Sequence, residues 1–349
     1  MSTQERYQLP IDGLEWMVPG KFDSAFRWEY QDGSEPLRRL YEKGKNLQWN
    51  ATNRIDWSRN LDPENPEEMP DEALSIFGSE VWNRMNAKER AELRRHDQAN
   101  NLSQFLHGEQ GALICTAKIV QQVPNIDAKF YAATQVIDEA RHVEVYSRLL
   151  HEKFDIVYPI TPPLKSLLEG IISDSRWDMT YLGMQVLIEG LALAAFAGIR
   201  DMAKNPLAAA VNAYVMQDEA RHVAFGRLAL REYYPHLSQK ERDEREEFVV
   251  EACYTMRDRF NSRDVYERLG LPVKECIEWE ENSEGMQQFR AGLFTRIVPA
   301  IKDIGLWGPK VRKAYADMNV LSFAEIDSAA LSAEDERVAI EFDKRRETV

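Results

Sequence analysis

Cysteine is scarce in this chain, with three residues in 349 and no pair spaced as C-x-x-C. This scarcity excludes a disulfide framework and disfavours a structural zinc site. We expect Cys115, Cys253 and Cys276 to be reduced thiols, as in a cytoplasmic protein. The first six residues, Met1 to Arg6, also lack the apolar core of a signal peptide. We therefore expect a cytoplasmic location.

Positively charged residues are fewer than negatively charged ones. Lysine and arginine number 44 against 58 aspartates and glutamates, which gives a formal net charge of −14. A surface of this sign repels the phosphates of nucleic acids and the headgroups of anionic lipids. We therefore expect neither a nucleic acid nor a membrane among the partners.

Long apolar runs and β-hairpin turn signals are missing as well. The most apolar run, Val186 to Ile199, is shorter than the roughly 20 residues that a membrane span needs. It contains Glu189, and a buried acid must have partners in the folded protein. The run therefore predicts a buried helix. With 44% apolar and 29% charged residues and no hairpin pattern, the chain is predicted to be an all-α globular protein.

What the chain does contain is a six-residue sequence that occurs twice. Asp-Glu-Ala-Arg-His-Val stands at 138–143 and again at 218–223. In a helix, the Glu and His of each copy are three residues apart and lie on one face. A further Glu precedes each Glu of the motif by 30 residues. The six candidate metal ligands are Glu109, Glu139, His142, Glu189, Glu219 and His222.

Turn signals lie midway between the two glutamates of each half. Pro124 is 15 residues from each glutamate of the first half, and Lys204 is 15 residues from each glutamate of the second. At about 1.5 Å of rise per residue, both acids of a hairpin then lie roughly 22 Å from its turn. The spacing predicts two antiparallel helical hairpins with all six side chains at one level, which is a four-helix bundle.

The chain divides into three predicted regions, with proline-rich loops inside the first (60–71) and the second (159–163). Capping boxes at Asn86 and Ser238 mark the first helix of the second and of the third region, and an earlier helix is predicted from Glu35 to Trp49. The regions are an N-terminal arm with helices packed on the core (1–85, irregular to about residue 35), the di-metal bundle (86–236) and a C-terminal helical extension (237–349).

Carboxylates with one imidazole per metal suit iron or manganese. Four carboxylates also nearly balance two divalent cations, which allows this much charge inside a bundle. Glu139 and Glu219 are candidates to bridge or cap the pair, and Glu109 and Glu189 complete it. Four neighbouring residues are expected to support the ligands, because Asp can accept the second imidazole N–H and Arg can neutralise Asp. They are Asp138, Arg141, Asp218 and Arg221, and we expect the pairing to cross between the two copies.

Other residues lie on the helix faces that carry the candidate metal ligands, and each of them has two interpretations. Tyr146 is one turn after His142 and is either a core tyrosine or a redox-active one. Four residues share the faces of Glu109 or Glu189 and are either plain core or the lining of a substrate pocket. They are Leu113, Thr116, Leu193 and Phe196. Outside the motifs, His96, His151 and His236 are expected to be exposed.

The pattern resembles the ferritin-like di-iron carboxylate superfamily over residues from about 90 to 235. Asp-Glu-x-Arg-His in both copies is similar to bacterial multicomponent monooxygenase hydroxylases, acyl-carrier-protein desaturases, ribonucleotide reductase small subunits and arylamine N-oxygenases. The resemblance implies two iron ions, or a manganese–iron pair, with O2 as co-substrate. It also implies an electron donor such as a ferredoxin or a reductase. We expect a homodimer, as is common for bundle enzymes of this size.

The function favoured by this resemblance is an O2-dependent oxygenase or oxidase. It would hydroxylate, N-oxygenate or desaturate a small, largely apolar or aromatic substrate. Two alternatives remain open: a ferroxidase or iron-storage subunit, and a radical-generating subunit that uses Tyr146. A bundle with a purely structural role is the fourth reading.

Overall fold

The computed structural model describes residues 22–26 and 34–347, and that part of the chain contains no β-strand. The predicted irregular arm therefore lies mostly outside the described residues. Three short helices precede the bundle: α1 (Glu35–Asn46), α2 (Ala51–Arg54) and α3 (Glu80–Arg84). The sequence predicted that α1 would reach Trp49, but it ends at Asn46. Gln48 and Trp49 consequently lie in the connection to α2.

The first hairpin of the bundle consists of α4 (Ala87–Gln122) and α5 (Ile126–Arg148). The predicted capping box is present: the Asn86 side chain accepts from the Glu89 amide at 3.1 Å, and the Glu89 carboxylate accepts from the Asn86 amide at 2.8 Å. Pro124 separates the helices, because proline lacks an N–H and disfavours a helical residue before it. α5 continues into a π-helical turn at Leu149–Phe154.

A crossover that contains α6 (Pro162–Ser173) leads to the second hairpin. The next helix, α7, is α-helical at Trp177–Thr180, π-helical at Tyr181–Ile188 and α-helical again at Glu189–Met202. After the Asn205 cap, α8 (Pro206–Tyr233) returns antiparallel to it. Two helical hairpins joined by one long crossover form the ferritin-like bundle, and the all-α prediction is confirmed.

The apolar run of the sequence belongs to α7, which spans Trp177–Met202 and has 26 residues. By length and composition alone this helix could cross a membrane, so the run is part of a longer apolar helix than the sequence suggested. In its most apolar window of 18 residues, 78% is buried inside the fold. This burial is that of a core helix, as predicted.

The C-terminal part packs seven helices against the bundle. From its amphipathic pattern the sequence also predicts helices over about 290–303 and 308–318; the first is interrupted at 293–296, and the helices at 263–268 and 273–282 were not predicted. One hydrophobic cluster contains Leu37, Leu187, Val249 and Ile301, so residues of all three predicted regions share a core. The division into regions stays a prediction. The helices are α9 (Gln239–Asp258), α10 (Arg263–Arg268), α11 (Val273–Asn282), α12 (Glu284–Gly292), α13 (Ile297–Asp303), α14 (Pro309–Asp317) and α15 (Ser328–Glu347).

Candidate metal centre

The six candidate ligand side chains come together inside the bundle, and all six are buried. Around the first histidine, His142 Nδ1 lies 3.2 Å from Glu109 Oε2, 3.4 Å from Glu139 Oε2 and 3.0 Å from Glu219 Oε1. One ligand atom of each of these four residues lies within 4.8 Å of those of the others. Four donors are therefore gathered around one position, which we name the His142 position.

A second group surrounds the other histidine. His222 Nδ1 lies 3.1 Å from Glu139 Oε1 and 3.4 Å from Glu219 Oε1. Ligand atoms of Glu139, Glu189 and His222 lie within 4.8 Å of one another, and we name this the His222 position. Glu139 directs one oxygen towards each histidine, so its geometry is that of a bridging ligand. Glu109 and Glu189 belong to one group each, as terminal ligands would.

Several of these buried atoms lack a hydrogen-bond partner among the described residues. Leaving a buried polar atom unpaired is unfavourable unless something else binds it. Carboxylate oxygens and imidazole nitrogens that face one another are the donors expected around shared cations. The residues therefore fit a pair of iron or manganese ions. The unpaired atoms are Glu139 Oε2, Glu189 Oε2, both oxygens of Glu219, and His222 Nδ1.

Protons balance the charge of this cluster. Burial, with the charge of Glu219, raises the pKa of Glu109 to about 8 and that of Glu189 well above its usual value. Burial opposes a charged His142 and His222, but the neighbouring carboxylates raise the pKa of both imidazoles well above the ordinary value. Divalent cations would displace these protons when they bind.

The contacts behind the histidines cross between the two copies of the motif. His142 Nε2 lies 3.2 Å from Asp218 Oδ2, and His222 Nε2 lies 3.2 Å from Asp138 Oδ2. An Nε2–H donated to an aspartate leaves Nδ1 as the nitrogen that faces the carboxylates. The crossing expected from the sequence is therefore present in the structure.

Two arginines hold the aspartates in place. Arg221 Nη2 donates to Asp218 Oδ1 at 2.5 Å and to Asp138 Oδ2 at 3.4 Å. Arg141 Nη2 donates to Asp138 and, at 2.9 Å, to Asp218 Oδ2. Burial opposes ionisation of Asp218, but the Arg221 guanidinium and His142 hold the pKa of that carboxyl well below its usual range. Both aspartates thus have cationic partners in the interior.

Two residues after α1 complete this network and were not found from the sequence. Gln48 Nε2 donates to Asp138 Oδ1 at 2.7 Å, and Trp49 Nε1 donates to Asp218 Oδ2 at 2.8 Å. They are 90 and 169 residues from their acceptors, and no local spacing signals such a contact. Both also line a cleft of about 940 Å³ beside α1, α8 and α15. The cleft is therefore linked through hydrogen bonds to the aspartates behind the histidines.

Gln135 is a third polar partner that the sequence analysis missed. Its Nε2 donates to Glu139 Oε1 at 2.9 Å and to Glu189 Oε1 at 3.1 Å, and the side chain is fully buried. The spacing did carry a signal here, because a residue four positions before Glu139 lies on the same helix face.

Tyr146 is buried beside the His142 position. Its hydroxyl donates to Asn212 Oδ1 at 3.1 Å, and its ring lies 5.8 Å from the rings of both Phe105 and Phe196. Burial, with the charges of Glu109 and Glu219, raises the pKa of Tyr146 well above its ordinary value. The hydroxyl is therefore neutral, and the residue fits a core role. A redox role for Tyr146 stays a prediction.

The four candidate pocket residues do not line one described cavity. Leu193 and Phe196 belong to the same hydrophobic cluster as Tyr146. Thr116 is buried elsewhere, and its hydroxyl accepts from Gln185 Nε2 at 3.4 Å, while Leu113 is half-buried. None of the four lines the 940 Å³ cleft. Their role in binding a substrate stays a prediction.

The expectation that His96 is exposed was wrong. It is 7% exposed, and its Nδ1 lies 2.8 Å from the Tyr158 hydroxyl. Burial, with the nearby cations Arg268 and Arg95, lowers the pKa of His96 to about 4. His151 is half-buried, and His236 is exposed as expected.

Paired Glu-x-x-His helices, each packed on a helix that contributes one more glutamate, define the non-haem di-iron carboxylate class of ferritin-like proteins. The model of the P-aminobenzoate N-oxygenase AurF family matches residues 31–305, which is most of the chain. The chain belongs to this family. It is therefore a di-iron oxidoreductase that acts with O2, and the resemblance to the ferritin-like di-iron superfamily, arylamine N-oxygenases included, is confirmed.

Three solved structures illustrate what the chain is similar to in fold. A protein with aldehyde deformylating oxidase activity from Synechococcus is 15% identical, with a TM-score of 0.48 over 66% of this chain and 98% of that one. An R2-like ligand-binding oxidase variant with an anaerobically reconstituted Mn/Fe cofactor is 18% identical, with a TM-score of 0.48 over 79% and 96%. The aerobically reconstituted R2-like oxidase is 15% identical, with a TM-score of 0.39 over 92% and 98%. Curated proteins give no significant sequence match.

Proposed function

We propose that the chain N-oxygenates a small aromatic amine. The observation that carries this proposal is the buried group of four glutamates and two histidines in a chain of the AurF family. The first oxygenation balances as R–NH2 + O2 + 2 e⁻ + 2 H⁺ → R–NHOH + H2O. The two electrons in this equation come from a ferredoxin or a reductase, and the nitrogen of the substrate is the atom that becomes oxidised.

In this proposal the six clustered residues hold two metal ions, which supply the activation of O2. Glu139 and Glu219 would be shared by the two ions: Glu139 has one oxygen within 3.4 Å of each histidine Nδ1, and Glu219 Oε1 is within 3.4 Å of both. Asp218 and Asp138 accept the Nε2 protons and so keep Nδ1 directed at the metals. Phe105, Tyr146 and Phe196 exclude water beside the His142 position.

The substrate amine approaches from the side of Thr116 and Gln185. The other side is filled by aromatic rings, with Phe105 and Phe196 only 4.7 Å apart. Gln185 is fully buried, and its Oε1 has no partner among the described residues, so it can accept an amine N–H. Of the predicted pocket residues, Thr116 is on this side, because its hydroxyl accepts from Gln185 Nε2 at 3.4 Å.

The substrate side can be tested with a matched pair of variants. Gln185 and Phe105 occupy equivalent places, each four residues before a ligand glutamate. We expect Gln185→Leu to raise the KM for an aromatic amine at least tenfold, because a buried acceptor is lost, with two metals still bound. Phe105→Leu should change KM by less than threefold. Equal effects of the two variants would contradict approach from the Gln185 side.

The function itself is tested by a single turnover. The chain is loaded anaerobically with Fe(II), then mixed with p-aminobenzoate, a reductant and ¹⁸O2. We expect about two irons per chain and an N-oxygenated product that contains ¹⁸O, detected by mass spectrometry, with none from Glu139→Ala. Iron uptake far beyond two per chain would instead indicate a ferroxidase. A tyrosyl radical at Tyr146 without product would indicate a radical-generating subunit.

We further propose a homodimer that pairs through α4 and α5. Ile114, Phe130 and Ile137 of this hairpin are 47%, 40% and 57% exposed. Exposed apolar side chains on neighbouring helices are typical of a protein interface. Ile137→Asp should halve the mass measured by light scattering, whereas Ile340→Asp on α15, also exposed, should leave it unchanged. A monomeric native chain would contradict this proposal.

A cytoplasmic location is the remaining proposal. Cys115, Cys253 and Cys276 are all unpaired and buried, as thiols of a reducing compartment are. Cell fractionation with an antibody tests it, and recovery in a membrane or secreted fraction would contradict it.

A further inference from the structure

Gln135 breaks the equivalence of the two metal positions. The two halves of the bundle correspond at an interval of 80 residues, so that Glu139 matches Glu219 and His142 matches His222. At the same interval Gln135 matches Val215, and both are fully buried. The amide is thus present on α5 alone, although the ligands around it are duplicated.

The amide contacts the carboxylates of one position. Its Nε2 reaches Glu139 Oε1, the oxygen that faces His222, at 2.9 Å and Glu189 Oε1 at 3.1 Å. Glu189 belongs to the His222 position alone, and although Glu139 is shared by both positions, the oxygen that Gln135 contacts is the one on the His222 side. Val215 has no group that donates a hydrogen bond, and the terminal Glu109 is met instead by His142 Nδ1 at 3.2 Å.

The His222 position is also the one with fewer gathered donors. Glu219 Oε1 lies 3.0 Å from His142 Nδ1 but 3.4 Å from His222 Nδ1. Four ligand residues therefore lie close together at the His142 position and three at the His222 position. With fewer carboxylates to bind a cation, this position depends more on how well each one is oriented.

We propose that Gln135 positions Glu189 and Glu139 for the metal at the His222 position, and that this makes the two positions unequal. One amide that donates to an oxygen of each side chain holds both carboxyl groups in a fixed orientation before a cation arrives. The His142 position does without this donor. The proposal rests on the proposed metal centre and deepens it: Gln135 is a positioning residue for one metal of the two.

The test measures the binding of Fe(II) alone, under anaerobic conditions, by competition with a chromogenic chelator. Gln135→Leu should weaken one of the two Fe(II) sites by about 10–100-fold, the usual effect of losing a partner of a ligand, and leave the other within twofold. Gln135→Met has nearly the length of glutamine without the donor, and it serves if the Leu variant folds poorly. Val215→Ala is the matched control and should leave both sites within twofold.

Single-site variants show which position is affected. In His142→Ala the remaining metal is held at the His222 position, and there Gln135→Leu should again weaken binding about 10–100-fold. In His222→Ala the same change should have no effect beyond twofold. Equal weakening in both backgrounds would reduce Gln135 to a structural role, and unchanged affinity in both would overturn the proposal. Fewer than two Fe(II) per native chain would instead refute the metal centre itself.

Discussion

The two halves of the bundle have the same ligands but different surroundings. At an interval of 80 residues every glutamate, histidine, aspartate and arginine of the centre has its equivalent. Within two turns of the ligands the halves differ: Phe105 corresponds to Gln185, Thr116 to Phe196, and Tyr146 to Gly226. Three rings therefore meet on one side, and an amide, a hydroxyl and a glycine meet on the other. The ligands are alike because two similar cations need similar donors, whereas the residues beside the ligands do not have to match.

The difference is also one of helix spacing. A Cβ added at Gly226 would lie 2.6 Å from Gln185 Cβ, so α8 approaches α7 too closely for any larger residue. At the equivalent place on α5, the Tyr146 ring occupies the space beside Phe105 and Phe196. At these equivalent places, the side chains of one hairpin therefore would not fit in the other.

The largest effect is expected where the halves share a ligand. Glu139→Ala removes the carboxylate that faces both histidines, so we expect Fe(II) binding to weaken more than 100-fold at both positions and turnover to be lost. Glu109→Ala and Glu189→Ala should each weaken one position much more than the other. Iron analysis after gel filtration measures this. Retention of two irons by Glu139→Ala would show that Glu139 does not bridge.

The crossed aspartates provide the second test. Asp218→Asn removes a charged acceptor from His142, and we expect it to weaken the His142 position about 10–100-fold. Asp138→Asn should do the same to the His222 position. Fe(II) titration in the His222→Ala and His142→Ala backgrounds separates the two. If each change weakens the position of its own half, the crossing does not hold in solution.

The third prediction compares how much two equivalent residues, Phe196 and Thr116, contribute to the stability of the fold. Phe196→Ala empties a fully packed ring site and should lower the free energy of unfolding by about 3–5 kcal/mol. Thr116→Ala loses one weak hydrogen bond and a methyl group, and about 1 kcal/mol is expected. Urea unfolding of the metal-free proteins measures both. Equal losses would mean that the aromatic side is not the better packed one.

The smallest effect concerns a buried acid near the aromatic side. Burial, with the charge of Asp97, raises the pKa of Glu67 to about 8, and Glu67 is among the groups that raise the pKa of Tyr146. The folded chain thus keeps a proton that the unfolded chain loses above about pH 4.5. Stability from this group is complete below that pH and falls as the pH rises towards 8.

Glu67→Gln removes this pH dependence. It should raise the free energy of unfolding at pH 8 by about 2 kcal/mol and change it little at pH 4.5. Chemical unfolding at the two pH values, with the conservative surface change Glu72→Gln as control, measures the difference. A variant less stable than the native chain at pH 8 would show that Glu67 is ionised and paired.

Much of the bundle could be predicted because its signals are local. The Asn86 capping box and Pro124 gave the bounds of the first hairpin within about a residue, since caps and prolines act within one helical turn. The duplicated motif gave the ligand set for the same reason. His96 was misjudged because its burial depends on Tyr158, which is 62 residues away.

The sequence by itself determined the all-α class, the two hairpins and the six side chains that meet between them, because helix periodicity and equal spacing from a turn are properties of the chain alone. Only the tertiary structure decided which groups stand behind and beside those six. Gln48 and Trp49 come from the connection after α1 and the crossed aspartates from α5 and α8, and no local spacing relates their positions. The unequal surroundings of two nearly equal halves likewise arise from how the helices pack, since the same ligand motif was compatible with rings or with polar groups on either side.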